Sequence, residues 1–229
     1  TVSVWIFTGT VYERQQKILV SGGAADDGFG SSVGVSGTTL VGGAPGRDLM
    51  AGMDAGAAYV YVKPGGAWAW QASLISPDPG EYEYFGMSVG LDGDALAVGE
   101  MQGSSGAGAA YVYRRSGTLW PRVRDLEMSA VSPEVSKFGC STAMSNGTFI
   151  IGSFMADSPT LAQPGGAFIY SFLAPVYRFY NPGAQAHFYT DSAAERDHVI
   201  ATWPGIYSYE GVAYKVNPFN NYQPLYRFY

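Results

Sequence analysis

One run of residues is written three times in this chain, and that recurrence limits the architecture before any local reading does. Phe29-Gly30-Ser31-Ser32-Val33-Gly34-Val35 leads through Ser36-Gly37 into Thr39-Leu40-Val41-Gly42-Gly43-Ala44-Pro45. Phe85–Gly99 and Phe138–Gly152 repeat the order, 56 and then 53 residues further on. In each copy small or apolar residues alternate with polar ones around a Gly-containing turn, the pattern of a β-hairpin. Gly-Ala-Ala-Tyr-Val-Tyr follows the first two hairpins, at Gly56–Tyr61 and Gly108–Tyr113, and is echoed weakly by Gly166-Ala167-Phe168-Ile169-Tyr170.

Strand-sized segments can be marked off from this pattern. They are Ser31–Val35, Thr39–Ala44, Ala57–Val62 and Trp68–Leu74 in the first repeat, and Met87–Leu91, Ala95–Glu100, Ala109–Tyr113 and Leu119–Leu126 in the second. In the third they are Ser141–Met144, Phe149–Ser153 and Ala167–Phe172. Four antiparallel strands in about 50 residues make a β-propeller blade. The expected fold is therefore mainly β: a partial β-propeller of four-stranded antiparallel blades over residues 1–173, then a small C-terminal β-rich module with one helix over residues 174–229. Val4-Trp5-Ile6-Phe7 aligns with Ala58-Tyr59-Val60-Tyr61, so the chain is expected to open late in a blade. Phe29, Phe85 and Phe138 read as core plugs, each followed by a Gly that lets a neighbouring blade close in. Trp68, Trp70 and Trp120 are expected against the adjacent blade, and Cys140 as an inert buried thiol.

Composition agrees with short strands and tight turns: 31 Gly, 13 Pro, 15% aromatic and only 14% charged residues among 229. A net charge of -6 and the lack of any basic run argue against a nucleic-acid partner. One cysteine rules out an internal disulfide and a Cys-rich zinc site. No apolar run approaches the roughly 20 residues of a membrane span, so no membrane insertion is expected, and the first residues do not read as a signal peptide.

The order Asp-Gly-Phe-Gly-Ser-Ser-Val, Leu-Val-Gly-Gly-Ala-Pro and Gly-Ala-Ala-Tyr-Val-Tyr resembles the FG-GAP repeat, which builds the propeller of integrin α-subunits and of many secreted bacterial proteins. The resemblance covers residues 2–173 and fades toward the C-terminus, where Gly43-Ala44-Pro45 becomes Gly99-Glu100-Met101 and then Gly152-Ser153-Phe154. It implies an extracellular or cell-surface location. Calcium-binding members of that family carry an Asp-x-Asp-x-Asp-Gly loop; nothing here matches it, and Asp92-Gly93-Asp94 reads as a hairpin turn. No metal and no cofactor is expected.

The text changes at Ala174-Pro175. Asn181-Pro182-Gly183 is a turn joining strands Val176–Tyr180 and His187–Thr190. Ser192-Ala193-Ala194-Glu195 has the form of a capping box, opening a helix to about Ala201 with Val199, Ile200 and Trp203 on its inner side. Tyr177-Arg178-Phe179-Tyr180 returns as Tyr226-Arg227-Phe228-Tyr229, so a second unit is expected to begin at 225. This tail is similar to a module of secreted bacterial and fungal proteins with the signature Tyr-Arg-Phe-Tyr-Asn, His-Phe-Tyr-Thr, Glu-Arg-Asp and Tyr-Glu-Gly-Val-Ala, whose function is unassigned.

No residues converge on catalysis: acids are scattered through turns, no Ser stands in a Gly-x-Ser-x-Gly elbow, and no Gly-rich stretch ends in Lys-Ser or Lys-Thr. The chain is therefore expected not to be an enzyme. Candidate ligand-binding residues are Tyr177, Arg178, Tyr180, His187, Tyr189, Tyr209 and Glu210, since clustered aromatics stack on sugar rings while Arg, Glu and His hold hydroxyls. The alternative is that His187 and Arg178 hold the module together, with Arg178 or Arg196 paired to Glu210 or Glu195. The loops Gly46–Asp54 and Met101–Ala107 are a further candidate sugar site. Asn146-Gly147-Thr148 has the form of a glycosylation acceptor. Three repeats and a fragment do not close a propeller, and unpaired strand edges invite strand addition. The expected partners are other copies of the chain or adjoining repeats of a longer one, and surface glycans. The function expected is non-catalytic adhesion or structure, with head-to-tail filaments; the alternatives are a carbohydrate-binding module and an accessory region of a larger secreted hydrolase.

Overall fold

The computed structural model describes residues 1–102, 107–126, 136–156, 165–171, 174–190 and 192–216. The second Tyr-Arg-Phe-Tyr string, and with it the unit expected from 225, lies outside them, as does part of the 101–107 connection. The chain divides into two compact units, Thr1–Tyr170 and Ser171–Tyr229.

In the first unit each strand pairs antiparallel with the next in sequence. β1 (Val2–Phe7) and β2 (Tyr12–Ile18) form a two-stranded sheet. β3 (Val33–Ser36), β4 (Thr39–Ala44), β5 (Ala57–Val62) and β6 (Ala69–Leu74) form a four-stranded meander. β7 (Phe85–Asp92), β8 (Ala95–Glu100), β9 (Ala109–Arg114) and β10 (Arg122–Leu126) repeat it. β11 (Phe138–Ser145), β12 (Thr148–Ser153) and β13 (Gly166–Ser171) make a three-stranded sheet in the same order. These are partial propeller blades, as the repeat demanded. Every residue of β4 and β8 is buried, because the middle strands are covered on both faces.

The sheets stack through their first strands. β7 packs across β3, β4 and β5, and β11 packs across β7, β8 and β9. The Phe85 amide donates to Ala55 O at 3.0 Å, and the Phe138 amide to Ala107 O at 2.9 Å. The approach is close enough to exclude side chains. A Cβ on Gly43 would stand 1.9 Å from the Gly86 carbonyl oxygen, and one on Gly99 2.0 Å from that of Gly139. Gly86 and Gly139 themselves sit at φ 87° and 86°, which a residue with a Cβ rarely adopts. The three phenylalanines have matching surroundings: Phe29 meets Tyr59 and Tyr61, Phe85 meets Tyr111, and Phe138 meets Phe168 and Tyr170. The apolar core between the first two full sheets contains Val41, Val60, Leu74, Phe85, Val89, Leu96 and Val98.

Several expectations change. Val2 pairs with Ile18 as Ala58 pairs with Leu74, and the Thr1 ammonium reaches Phe29 O at 2.9 Å. Val2, and not Val4, is thus the counterpart of Ala58; a slip of two residues keeps every side chain on its face, so alternation alone could not detect it. Trp70 is exposed within β6, whereas Trp68 lies before the strand and turns inward, bracketed by the Gln16 side-chain amide. Cys140 is half-buried, because the segment after each Phe-Gly breaks register and leaves this position outside the ladder.

In the second unit β14 (Ala174–Asn181) is the central strand, flanked antiparallel by β15 (Ala186–Thr190) and β16 (Ser208–Val216). The helix α1 (Ala193–Thr202) is capped by Ser192, whose Oγ accepts the Glu195 amide at 3.1 Å. Val199 alone of the expected trio is buried, against Tyr177 and Phe179. Ile200 lies about 100° further round the helix and faces out, and Trp203 ends the helix half-exposed beside His198 and Tyr207.

Candidate functional site

β14 alternates, and its alternation splits the candidate residues between two faces of the sheet. Tyr177 and Phe179 point to the helix side, where Phe179 stacks on Phe188 at 4.8 Å and meets Tyr209 at 5.1 Å. Tyr177 is buried, with Tyr209 at 6.3 Å and the Arg196 guanidinium 4.5 Å above its ring. Tyr177 and Tyr209 thus belong to this packed side.

Arg178 and Tyr180 alternate with them along the strand. Cross-strand pairing sets Tyr180 opposite His187, rings 4.9 Å apart, and Arg178 opposite Tyr189. Glu210, from β16, closes the group. One of its oxygens lies 2.8 Å from Arg178 Nε and 3.0 Å from His187 Nε2. The Arg178 contact is one of charge and not an aligned hydrogen bond; the His187 contact becomes an ion pair when the imidazole is protonated. Of the pairings left open by the sequence, the structure has Arg178 with Glu210, while Arg196 pairs with Asp197 at 2.7 Å. The trio is part-exposed, so its net contribution to stability is small.

Tyr214 was missed by sequence reasoning. It lies 6.1 Å from Tyr189 and both rings are part-exposed. Tyr214 sits opposite Val176, beyond a register shift in β16, so alternation counted along the strand from Glu210 would not have found it. The face therefore presents Tyr180, His187, Tyr189 and Tyr214 beside one guanidinium and one carboxylate, which offers rings to stack on and both a donor and an acceptor for hydroxyl groups.

The first unit offers a different surface. In the first two full repeats the middle strands bury Val41 and Ala97, and Val60 and Val112, completely. Their counterparts in the third sheet are Ile150 and Ile169, which are 42% and 71% exposed. Ser141, the counterpart of Ser32 and Ser88, is exposed too. The connection Gly46–Asp54 is closed on itself by the Leu49–Gly52 bridge and by the Asp54 amide on Asp48 Oδ1. Asn146 sits exposed on its hairpin turn, its amide donating to Asp92 Oδ2 at 2.7 Å, as the Gly93 amide donates to Ser36 Oγ one repeat earlier. Among the described residues no group of three or more His, Cys, Asp or Glu side chains is placed to hold a metal ion, and no helix is long and apolar enough to cross a membrane.

A family model described as FG-GAP repeat matches residues 12–61 and 68–113. A second, described as a domain of unknown function (DUF5648), matches residues 163–229, a span that includes β13 of the third sheet. No curated protein matches the chain. FG-GAP repeats typically occur in extracellular proteins. The stacked sheets and recurring Phe-Gly joints agree with the first match, so residues 12–113 carry FG-GAP repeats and residues 163–229 a DUF5648 domain.

Proposed function

We propose that the chain is a non-catalytic extracellular adhesion or structural protein whose repeats dock head to tail on further repeats of the same kind. The observation that carries this reading is the exposure of Ile150 and Ile169, at positions wholly buried in both preceding sheets. A surface built by the same rule as two covered ones, and as apolar, fits the same cover: the Phe-Gly-x-Ser strand of another blade, from a second copy or an adjoining repeat. Contacts of this heterologous kind run on into filaments unless they close into rings. Sedimentation of the chain over a wide concentration range tests it. Mass rising with concentration supports docking, and a monomer at every concentration argues against it.

A second reading rests on the open face of the other unit. Tyr189 and Tyr214, beside Arg178 and Glu210, have the make-up of a small sugar-binding platform. Surface glycans are then the partners, and a glycan array with wild-type protein and Tyr189→Ala separates this reading from a scaffold without ligand. Asn146 is the position at which a glycan attached to the chain itself would leave the packed sheets undisturbed.

A further inference from the structure

Two positions of the repeat are filled differently in each copy. One lies two residues before the repeat's Phe and holds Asp27, Glu83 or Ser136; the other ends the second strand and holds Ala44, Glu100 or Ser153. All six residues are buried. In the first repeat the single carboxylate is answered by a cation: Arg47 Nη1 lies 2.8 Å from Asp27 Oδ2. In the third no charge exists, and the Ser136 hydroxyl donates to Ala107 O at 2.6 Å while the Ser153 hydroxyl donates to Ser136 O.

The second repeat has two carboxyl groups, and its Met101–Ala107 connection contains no basic residue to play the part of Arg47. Tyr111 donates its hydroxyl to Glu100 Oε1 at 3.3 Å, and the Gly80 amide serves Glu83. Among the described residues, Glu83 Oε2, Glu100 Oε2 and the Ser76 hydroxyl oxygen are buried without an aligned hydrogen-bond partner, although the Ser76 hydroxyl acts on both carboxyls. The groups acting on the pair are Ser76, Asp78 and Tyr111, all neutral or acidic. Tyr113 also feels Glu100, and the nearby Arg122 spends its charge over the Tyr111 ring, 5.8 Å away, and on Asp125. Two ionised carboxylates withdrawn from water without a counter-ion are too costly to keep, and like charges sharing a site retain a proton.

We propose that Glu83 and Glu100 share one proton, which stands where the charge of Arg47 stands in the first repeat, and that its loss at alkaline pH loosens the joint between the first and second full sheets. The coupling is direct. Glu83 lies on the connection into β7, whose Tyr82, Tyr84 and Phe85 amides are pinned to Met53, Asp54 and Ala55 carbonyls of the first repeat, and the Glu83 carbonyl accepts the Gln102 amide just beyond Glu100. Repulsion between the two carboxylates therefore acts on the seam itself.

Burial pushes the Glu100 carboxyl up from 4.5 to about 7, and raises Glu83 as well. The fold thus favours the protonated form. That stabilisation is whole below the ordinary carboxylate value and is lost as pH rises through about 7.

The test is thermal unfolding of the whole chain between about pH 5 and about pH 8.5, compared with Glu100→Gln and with Glu100→Ser, which copies the third repeat. The wild type should lose on the order of 5 °C more than either variant across that range. Amide exchange at Tyr84 and Phe85, corrected for its intrinsic pH dependence, should speed up at the alkaline end in the wild type only. Should the Glu100 variants fail to fold, Glu83→Gln carries the same expectation. Equal pH slopes in wild type and variants would overturn the proposal. A rise in the wild-type midpoint on adding calcium chloride at alkaline pH, absent from the variants, would overturn it in favour of a bound cation.

Discussion

The Ser88 hydroxyl donates to the carbonyl oxygen of Gly139 at 2.8 Å, and Ser32 makes the same bond to Gly86 one repeat earlier. In both, the serine of one sheet's first strand reaches the glycine of the next sheet's first strand. The glycine brings the backbone near, and the serine satisfies the carbonyl that this approach would otherwise strand away from water.

Removing the hydroxyl should weaken the stack without rearranging it. Ser88→Ala leaves the Gly139 carbonyl unpaired at a buried joint and should cost about 1–2 kcal/mol. Gly99→Ala should cost more, since its Cβ would fall 2.0 Å from that same oxygen and the sheets would have to part. Urea unfolding of both variants checks the order.

The Asp27–Arg47 pair should be far more sensitive to losing one member than both. Asp27 is buried, so Arg47→Met strands its charge, at about 3 kcal/mol. Adding Asp27→Asn should recover much of that loss, because no uncompensated charge remains. A double-mutant cycle by chemical denaturation measures the difference.

Trp120 and Trp70 should differ although both were expected to be buried. Trp120 is held between the Arg115 guanidinium, 4.7 Å from its ring, and Gln71, which accepts its indole N–H at 2.9 Å. Trp120→Ala should cost about 3 kcal/mol, and exposed Trp70→Ala less than about 0.5 kcal/mol. Thermal denaturation of the two variants tells them apart.

Ile169→Lys should leave unfolding unchanged and reduce self-association at high concentration. A charge on that exposed position meets only water in the single chain, but would have to be buried under a docked strand. Sedimentation equilibrium alongside a melting curve reads both outcomes.

In the second unit, Tyr189→Ala should abolish any glycan signal and preserve the melting curve, since the ring stands on the open face. Phe179→Ala should unfold the module, at about 3–5 kcal/mol, because Phe179 is fully buried and stacked on Phe188. Circular dichroism with the glycan array separates the two roles.

Much of the architecture could be read from residue order. Phe29, Phe85 and Phe138 announced equivalent places, the turns Ser36-Gly37 and Asn146-Gly147 bounded the hairpins, and Ser192 with Glu195 located the helix start to the residue. The site was legible only in part. Tyr177 and Tyr180 are equal as letters, yet β14 and its neighbours bury one and leave the other beside His187; Tyr214 entered the group only through cross-strand spacing.

Sequence alone determined the repeat, its strands and their order, because alternation and turn chemistry act between residues close along the chain. Tertiary structure decided what those strands meet: that Trp70 faces water, that Ile150 and Ile169 lie uncovered, and that Glu83 and Glu100 are both buried and act on one another. These are properties of surfaces brought together from residues far apart in the chain, and no local pattern encodes how deeply a neighbouring sheet will cover them.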